Sequence, residues 1–195
     1  SYSTIDRIIK DLKYKGKSYY VPPYPKGVYL PEYLKGLKDM IVFISADSDF
    51  SVPSIEEMAK SRFLLENPKG ISITPPGLGL LSQFEKEFRM DITKPELREL
   101  CETLPRAILA DFQLAKEITM ELEQNQIHLR IVDSAYKSLY TREADLKSIS
   151  SLGCPLVSAI ACAIAKNTGK IVTIQRIKAS SNGDMVEVWY QFVEG

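Results

Sequence analysis

From Leu156 to Ala165 the chain is apolar apart from Ser158, and a helix apolar on every side has to be buried. Pro155 just inside its start and Gly169 just past its end bound it, giving an expected helix over 155–166. Its many small side chains would let another element approach closely. Two strands follow, Ile171–Ile177 and Met185–Val193, joined through Ser181-Asn182-Gly183-Asp184, since Asn and Gly both tolerate the positive φ of a hairpin turn. In the second strand Val186, Val188, Tyr190 and Phe192 alternate with Glu187, Trp189 and Gln191. Gly153–Val193 thus reads as one packed unit.

Alternation also predicts a half-buried strand at Ile127–Val132, with His128 and Arg130 outward. Helical spacing predicts three helices before it. The first runs from Leu78 to about Arg89, with Leu80, Leu81, Phe84 and Phe88 inward. The second opens on Thr93-Lys94-Pro95-Glu96, lines Leu97, Leu100, Cys101 and Leu104 on one face, and should break at Pro105. The third continues to about Gln124, with Ile108, Leu109, Phe112, Ala115, Ile118 and Leu122 on its apolar side and Asn125 as a left-handed stop. Asp133–Ser151 reads as loop, with helix around Ala135–Tyr140.

Prolines punctuate residues 1–77. Thr4–Leu12 has the spacing of a short amphipathic helix, and Pro22, Pro23, Pro25 and Pro31 exclude regular helix from Lys13 to Pro31. Met40–Ser45 and Ile71–Thr74 suit short strands, and Ser54 with Glu57 forms a capping box for one or two helical turns up to Lys60. The expected fold class is α+β: an antiparallel sheet covered by helices over 78–195, with an irregular proline-rich N-terminal extension over 1–77 wrapping it.

Composition narrows the functional classes. Lys plus Arg and Asp plus Glu are 25 each, so no net field draws nucleic acid or anionic lipid, and nucleic acid is not favoured as a partner. One local basic and aromatic stretch, Lys10 to Lys17 with Tyr14, could still approach a membrane surface, although a solvated connector is the plainer reading. The apolar run at 156–165 falls short of a membrane span. No signal peptide is visible, and the opening Ser1-Tyr2-Ser3-Thr4 without methionine leaves room for an upstream segment. Three cysteines, Cys101, Cys154 and Cys162, suit a reducing compartment, so a cytoplasmic location is expected. In a 155–166 helix Cys154 and Cys162 would lie about 12 Å apart along the axis, beyond disulfide reach. With a single histidine and no Cys-x-x-Cys pair, no metal site is expected, and the sequence leaves the cofactor unknown.

The order of elements from about Leu104 onward resembles the 4-vinyl-reductase-type domain family and, more distantly, the core subunits of the TRAPP trafficking complex. The features that carry the resemblance are Ile127–Val132, Asp133-Ser134-Ala135-Tyr136, Cys154-Pro155, the small-residue helix Ser158–Ala165, Ile171–Ile177, Gly183-Asp184 and Val186–Val193. It covers the C-terminal half and leaves 1–77 aside. Glu187 and Val188 stand where members often carry a cysteine, so no role for a cysteine pair carries over. The resemblance implies a hydrophobic pocket for an apolar or porphyrin-like molecule, a sensor or adaptor role, and a tendency to dimerise.

The leading expectation is therefore a non-enzymatic binding or sensor module for a hydrophobic small molecule or a protein partner, as a homo-oligomer. Leu109, Phe112, Cys154, Leu156, Val157, Ile160 and Ile164 are expected to line its pocket. A second reading is a thiol-dependent enzyme or redox switch. Cys154 at a helix N-terminus faces unpaired N–H groups that lower a thiol pKa, yet a nucleophile needs a base, and His128 is the one histidine. A small buried cap is the simpler role for Cys154. A third reading makes the apolar helix an oligomer interface. Glu117 and Glu121, with Asp111 and Glu123 nearby, would share a helix face, better read as solvated than as acid–base machinery. Pro75-Pro76-Gly77-Leu78-Gly79 precedes a helix but lacks the Lys-Ser/Thr of a phosphate loop.

Overall fold

The computed structural model describes residues 1–14, 17–24, 29, 31–32, 37–47, 53–60 and 62–193. The chain is α+β. One antiparallel sheet of eight strands runs in the order β3-β4-β2-β1-β7-β8-β6-β5, and helices pack against it. Its strands are β1 (Ser18–Val21), β2 (Ile41–Ser45), β3 (Leu64–Glu66), β4 (Lys69–Ile73), β5 (Glu117–Glu123), β6 (Gln126–Val132), β7 (Val172–Ala179) and β8 (Met185–Phe192). The helices are α1 (Tyr2–Asp11), α2 (Ile55–Ala59), α3 (Leu78–Phe88), α4 (Leu97–Asp111), α5 (Lys147–Leu152) and α6 (Pro155–Thr168).

The unit at Gly153–Val193 forms as expected. Every residue of α6 from Leu156 to Ala165 is buried, and Gly169 closes the helix with a left-handed φ of 67°. β7 and β8 pair across the hairpin, where Gly183 alone takes positive φ and the Asn182 side chain accepts from the Asp184 amide. The apolar rows of the sheet meet α3, α4 and α6 in one core that runs from Tyr20, Val42 and Ile44 to Leu129, Val188 and Tyr190.

Four expectations are corrected. β2 and β4 form where Met40–Ser45 and Ile71–Thr74 were expected to be strands, but β1 and β3 were not expected, and β1 pairs with β7, so the sheet is continuous across both halves of the chain. Prolines border these strands rather than interrupt them; Pro25 and Lys15 lie outside the described residues. α4 passes through Pro105 without a break, because Leu100, Leu104, Pro105 and Ile108 are all buried along its inner stripe and that packing outweighs the lost hydrogen bond. The expected helix up to Gln124 is instead β5, since Ile118 and Met120 alternate inward with outward Glu117, Thr119 and Glu121. Thr93 is no helix cap either: its amide and hydroxyl both donate to Asp91 Oδ1, at 2.9 and 2.5 Å, and α4 starts at Leu97.

Taken across the junction at Gly153, Lys147–Thr168 has the length and apolar composition of a membrane span, with 83% of its most apolar window buried inside the protein.

Candidate functional site

The apolar α6 is anchored by tyrosine hydroxyls and one serine. Tyr20 Oη donates to the Leu152 carbonyl at 2.8 Å and lies 2.9 Å from Ser158 Oγ. Ser158 Oγ also accepts from the Gly77 amide at 2.9 Å, and Tyr190 Oη donates to the Val157 carbonyl at 2.7 Å. The small residues of α6 allow a close approach here. A Cβ built on Gly77 would sit 2.1 Å from the Ala159 nitrogen, so only glycine fits where α3 begins. That contact also disposes of the phosphate-loop reading, since the Gly77 amide already has its partner.

Leu156, Val157, Ile160 and Ile164 are fully buried between the sheet and the other helices, and Cys154 is 1% exposed. Leu109 and Phe112 are half-buried at the far end of α4, where the Phe112 ring meets Phe84 and Phe88 edge-on. None of these seven residues lines either of two clefts on the described surface. The helix face considered as an oligomer interface is likewise covered by the chain's own elements.

Cys154 caps α6: its Sγ accepts from the Val157 amide at 3.5 Å, and its own amide donates to Tyr140 Oη. Burial pushes the thiol above its ordinary pKa and outweighs the lowering pull of Tyr140 and the helix amides. His128 sits on the opposite, solvent-facing side of the sheet. There it stacks on Trp189 at 4.7 Å and lies 2.8 Å from Glu187, while Arg176 covers the other side of the indole. The two residues do not meet. Glu117, Glu121 and Glu123 are exposed on the same outer face of β5. No group of three or more potential metal ligands occurs among the described residues.

The larger cleft lies at the C-terminal end of α6 and has a volume of about 720 Å³. Buried Met40 and Leu81 floor it, with Leu78, Pro23 and Tyr24 as further apolar lining. Its polar wall is largely self-satisfied. Lys166 Nζ meets Glu85 Oε1 at 2.7 Å, and Asn167 Nδ2 donates to the carbonyls of Ile92 and Pro95 at 2.7 and 2.8 Å. The Thr93 hydroxyl, first among several donors, holds Asp91 below the usual carboxylate range. Lys38 and Lys94 stand at the cleft without an ion pair among the described residues. Sequence reasoning missed this cleft because five separate stretches supply it; the one visible sign was that Lys166 and Asn167 end an otherwise apolar helix. A second opening of about 400 Å³, beside the β5–β6 turn, is lined by Glu123, Gln124, Asn125, Gln126 and Gln191.

The family model described as a domain of unknown function, DUF7982, matches residues 2–191. No curated protein and no solved structure matches the chain.

Proposed function

We propose a non-enzymatic binding role for this chain, which belongs to the DUF7982 family of domains of unknown function. The ligand site is the cleft at the end of α6, and the ligand is a small, largely apolar molecule. The observation that carries this reading is the cleft itself: about 720 Å³, lined by apolar Met40, Leu81, Leu78 and Tyr24, with Lys166, Glu85 and Asn167 already paired and Lys38 and Lys94 at its wall. That volume falls in the range that holds small molecules, and apolar lining with a few placed polar groups is the usual composition.

The competing thiol chemistry has less behind it. A nucleophilic cysteine needs exposure, a lowered pKa and a base within reach. Cys154 is sealed, its thiol is raised by burial, and His128 lies across the sheet. The resemblance to the 4-vinyl-reductase-type family favours a bound apolar ligand as well, although the cleft lies at the opposite end of α6 from the cysteine.

The test uses N-phenyl-1-naphthylamine, a neutral apolar dye that brightens on leaving water. Wild-type protein should enhance its fluorescence saturably. Ser82→Trp, which fills the cleft from an exposed position on α3, should weaken binding at least about tenfold with the melting temperature unchanged. Binding that ignores Ser82→Trp, or no binding at all, would sink the reading.

A further inference from the structure

The sheet has two open ends, and they are built differently. At the β5 end the side chains of Glu117, Glu121 and Glu123 stand on the exposed face. Two copies of β5 paired antiparallel would set Glu opposite Glu in each of the three central registers: 117 against 123, 117 against 121, or 121 against itself. Charged edges of this kind block strand addition. The β3 end carries one residue of each sign instead, Arg62 and Glu66, with apolar side chains between them. Leu64 is 52% exposed and Phe63 46% exposed, two of the six exposed large apolar side chains among the described residues.

We infer that the β3 edge is a self-association surface, on which a second copy of this chain adds its own β3 antiparallel about a two-fold axis at Leu64. The backbone supports that register. The Ser72 amide donates to the Phe63 carbonyl, and Leu64 pairs with Ile71, so Phe63 and Leu65 turn their peptide groups toward β4. Leu64 and Glu66 therefore turn theirs to the open edge. A two-fold at Leu64 sets Leu64 against Leu64 and Arg62 against Glu66 of the copy, in both directions. Opposite charges then face each other across the new ladder, where β5 would oppose like charges. Neither Arg62 nor Glu66 has an ion pair within the chain among the described residues. On the other face Phe63 lies against Leu65 of the copy. That extends the small cluster of Tyr19, Phe43 and Leu65 across the junction. The interface is isologous and closes, so it makes a dimer and not a fibre. β3 is short, so the interface is small and the association weak and reversible.

Sedimentation velocity over a hundredfold concentration range tests the inference, with the complete chain throughout. Wild type should pass reversibly from monomer to dimer. Arg62→Glu and Glu66→Arg each place like charges opposite one another and should raise the dissociation constant at least about tenfold. The double variant restores complementary pairs and should return it to near the wild-type value. Leu64→Lys should also prevent association, and Glu121→Lys, on the far edge, should leave it unchanged. Unaltered melting temperatures establish that each variant is folded. A monomer at every concentration overturns the inference, as does a dimer indifferent to Arg62→Glu and Leu64→Lys. Weakened single variants that the double variant fails to restore overturn the register, and with it the proposal. None of these outcomes depends on whether the cleft binds a ligand.

Discussion

Two glycines two residues apart on α3 answer to opposite physics. Gly77 is pressed against α6, where a methyl group would meet the Ala159 nitrogen at 2.1 Å and the Pro155 carbonyl oxygen at 2.5 Å. Both contacts are backbone and cannot rotate away. Gly77→Ala should therefore cost about 3 kcal/mol, read as a lowered denaturant midpoint. Gly79 lies inside the helix with nothing within 4 Å of its added Cβ. There Ala removes unfolded-state freedom and should stabilise by roughly 0.5–1 kcal/mol. Equal effects at the two sites would mean that α3 and α6 are not in this contact. The sequence announced a glycine-rich turn before a helix, but two prolines and two glycines look alike whether or not a partner helix touches them. Ser158 was similarly visible as the lone polar residue in an apolar run. Its partners, Tyr20 and Gly77, lie 138 and 81 residues away, and no local signal connects them.

Elements were legible where one period dominated and illegible where two overlapped. α6, β6, β7 and β8 carry unmixed patterns and form close to their expected bounds. In 117–123, Ile118 and Leu122 fit both a helix and a strand, and Met120 between them decides for the strand. The strands of the first half are short; β3 pairs locally with β4 across a tight turn, but β1, β2 and β4 are also tied to partners farther off along the chain. α1 shows the same dependence. It buries no residue completely, and its Asp6 carboxylate accepts from the amides of Lys147 and Ser148 at 2.8 and 2.6 Å. α5 has no side-chain cap of its own at Leu146, so α1 supplies one from 141 residues away. Asp6→Ala should lower stability by about 1 kcal/mol and speed amide exchange in both α1 and α5, leaving α6 protected. Exchange that accelerates in α1 alone would show that the cap contributes nothing to α5.

At the scale of the whole molecule, the core holds an unusual number of neutral acids. Burial raises the pKa of Cys154, Cys162, Tyr20, Tyr140 and Tyr190, and takes Cys101 from its ordinary value of 9.0 to about 11. For an acid whose folded pKa exceeds its unfolded one, the folded state holds the proton more tightly. The associated stability is complete below the unfolded value and is lost as pH climbs through it toward the folded value. The melting temperature should hold steady through neutral pH and fall between pH 9 and about 11. Cys101→Ala should remove part of that slope. A level profile to pH 11 would mean that water reaches these groups in the folded protein. Little of the candidate site was readable in advance, because the cleft gathers Tyr24, Met40, Leu81 and Lys166 from stretches that only the finished sheet brings together.

The pairing of β1 with β7 sets an order of events during synthesis. Tyr19 and Tyr20 find their strand partners at Thr173 and Val172, and the Ser18 carbonyl finds its donor in the Thr173 hydroxyl. The N-terminal strands can pair among themselves as they leave the ribosome, but the β1 edge stays open until β7 has been made. The sheet therefore closes only once β7 is available, and a nascent chain stalled before residue 172 exposes a strand edge that the folded protein conceals.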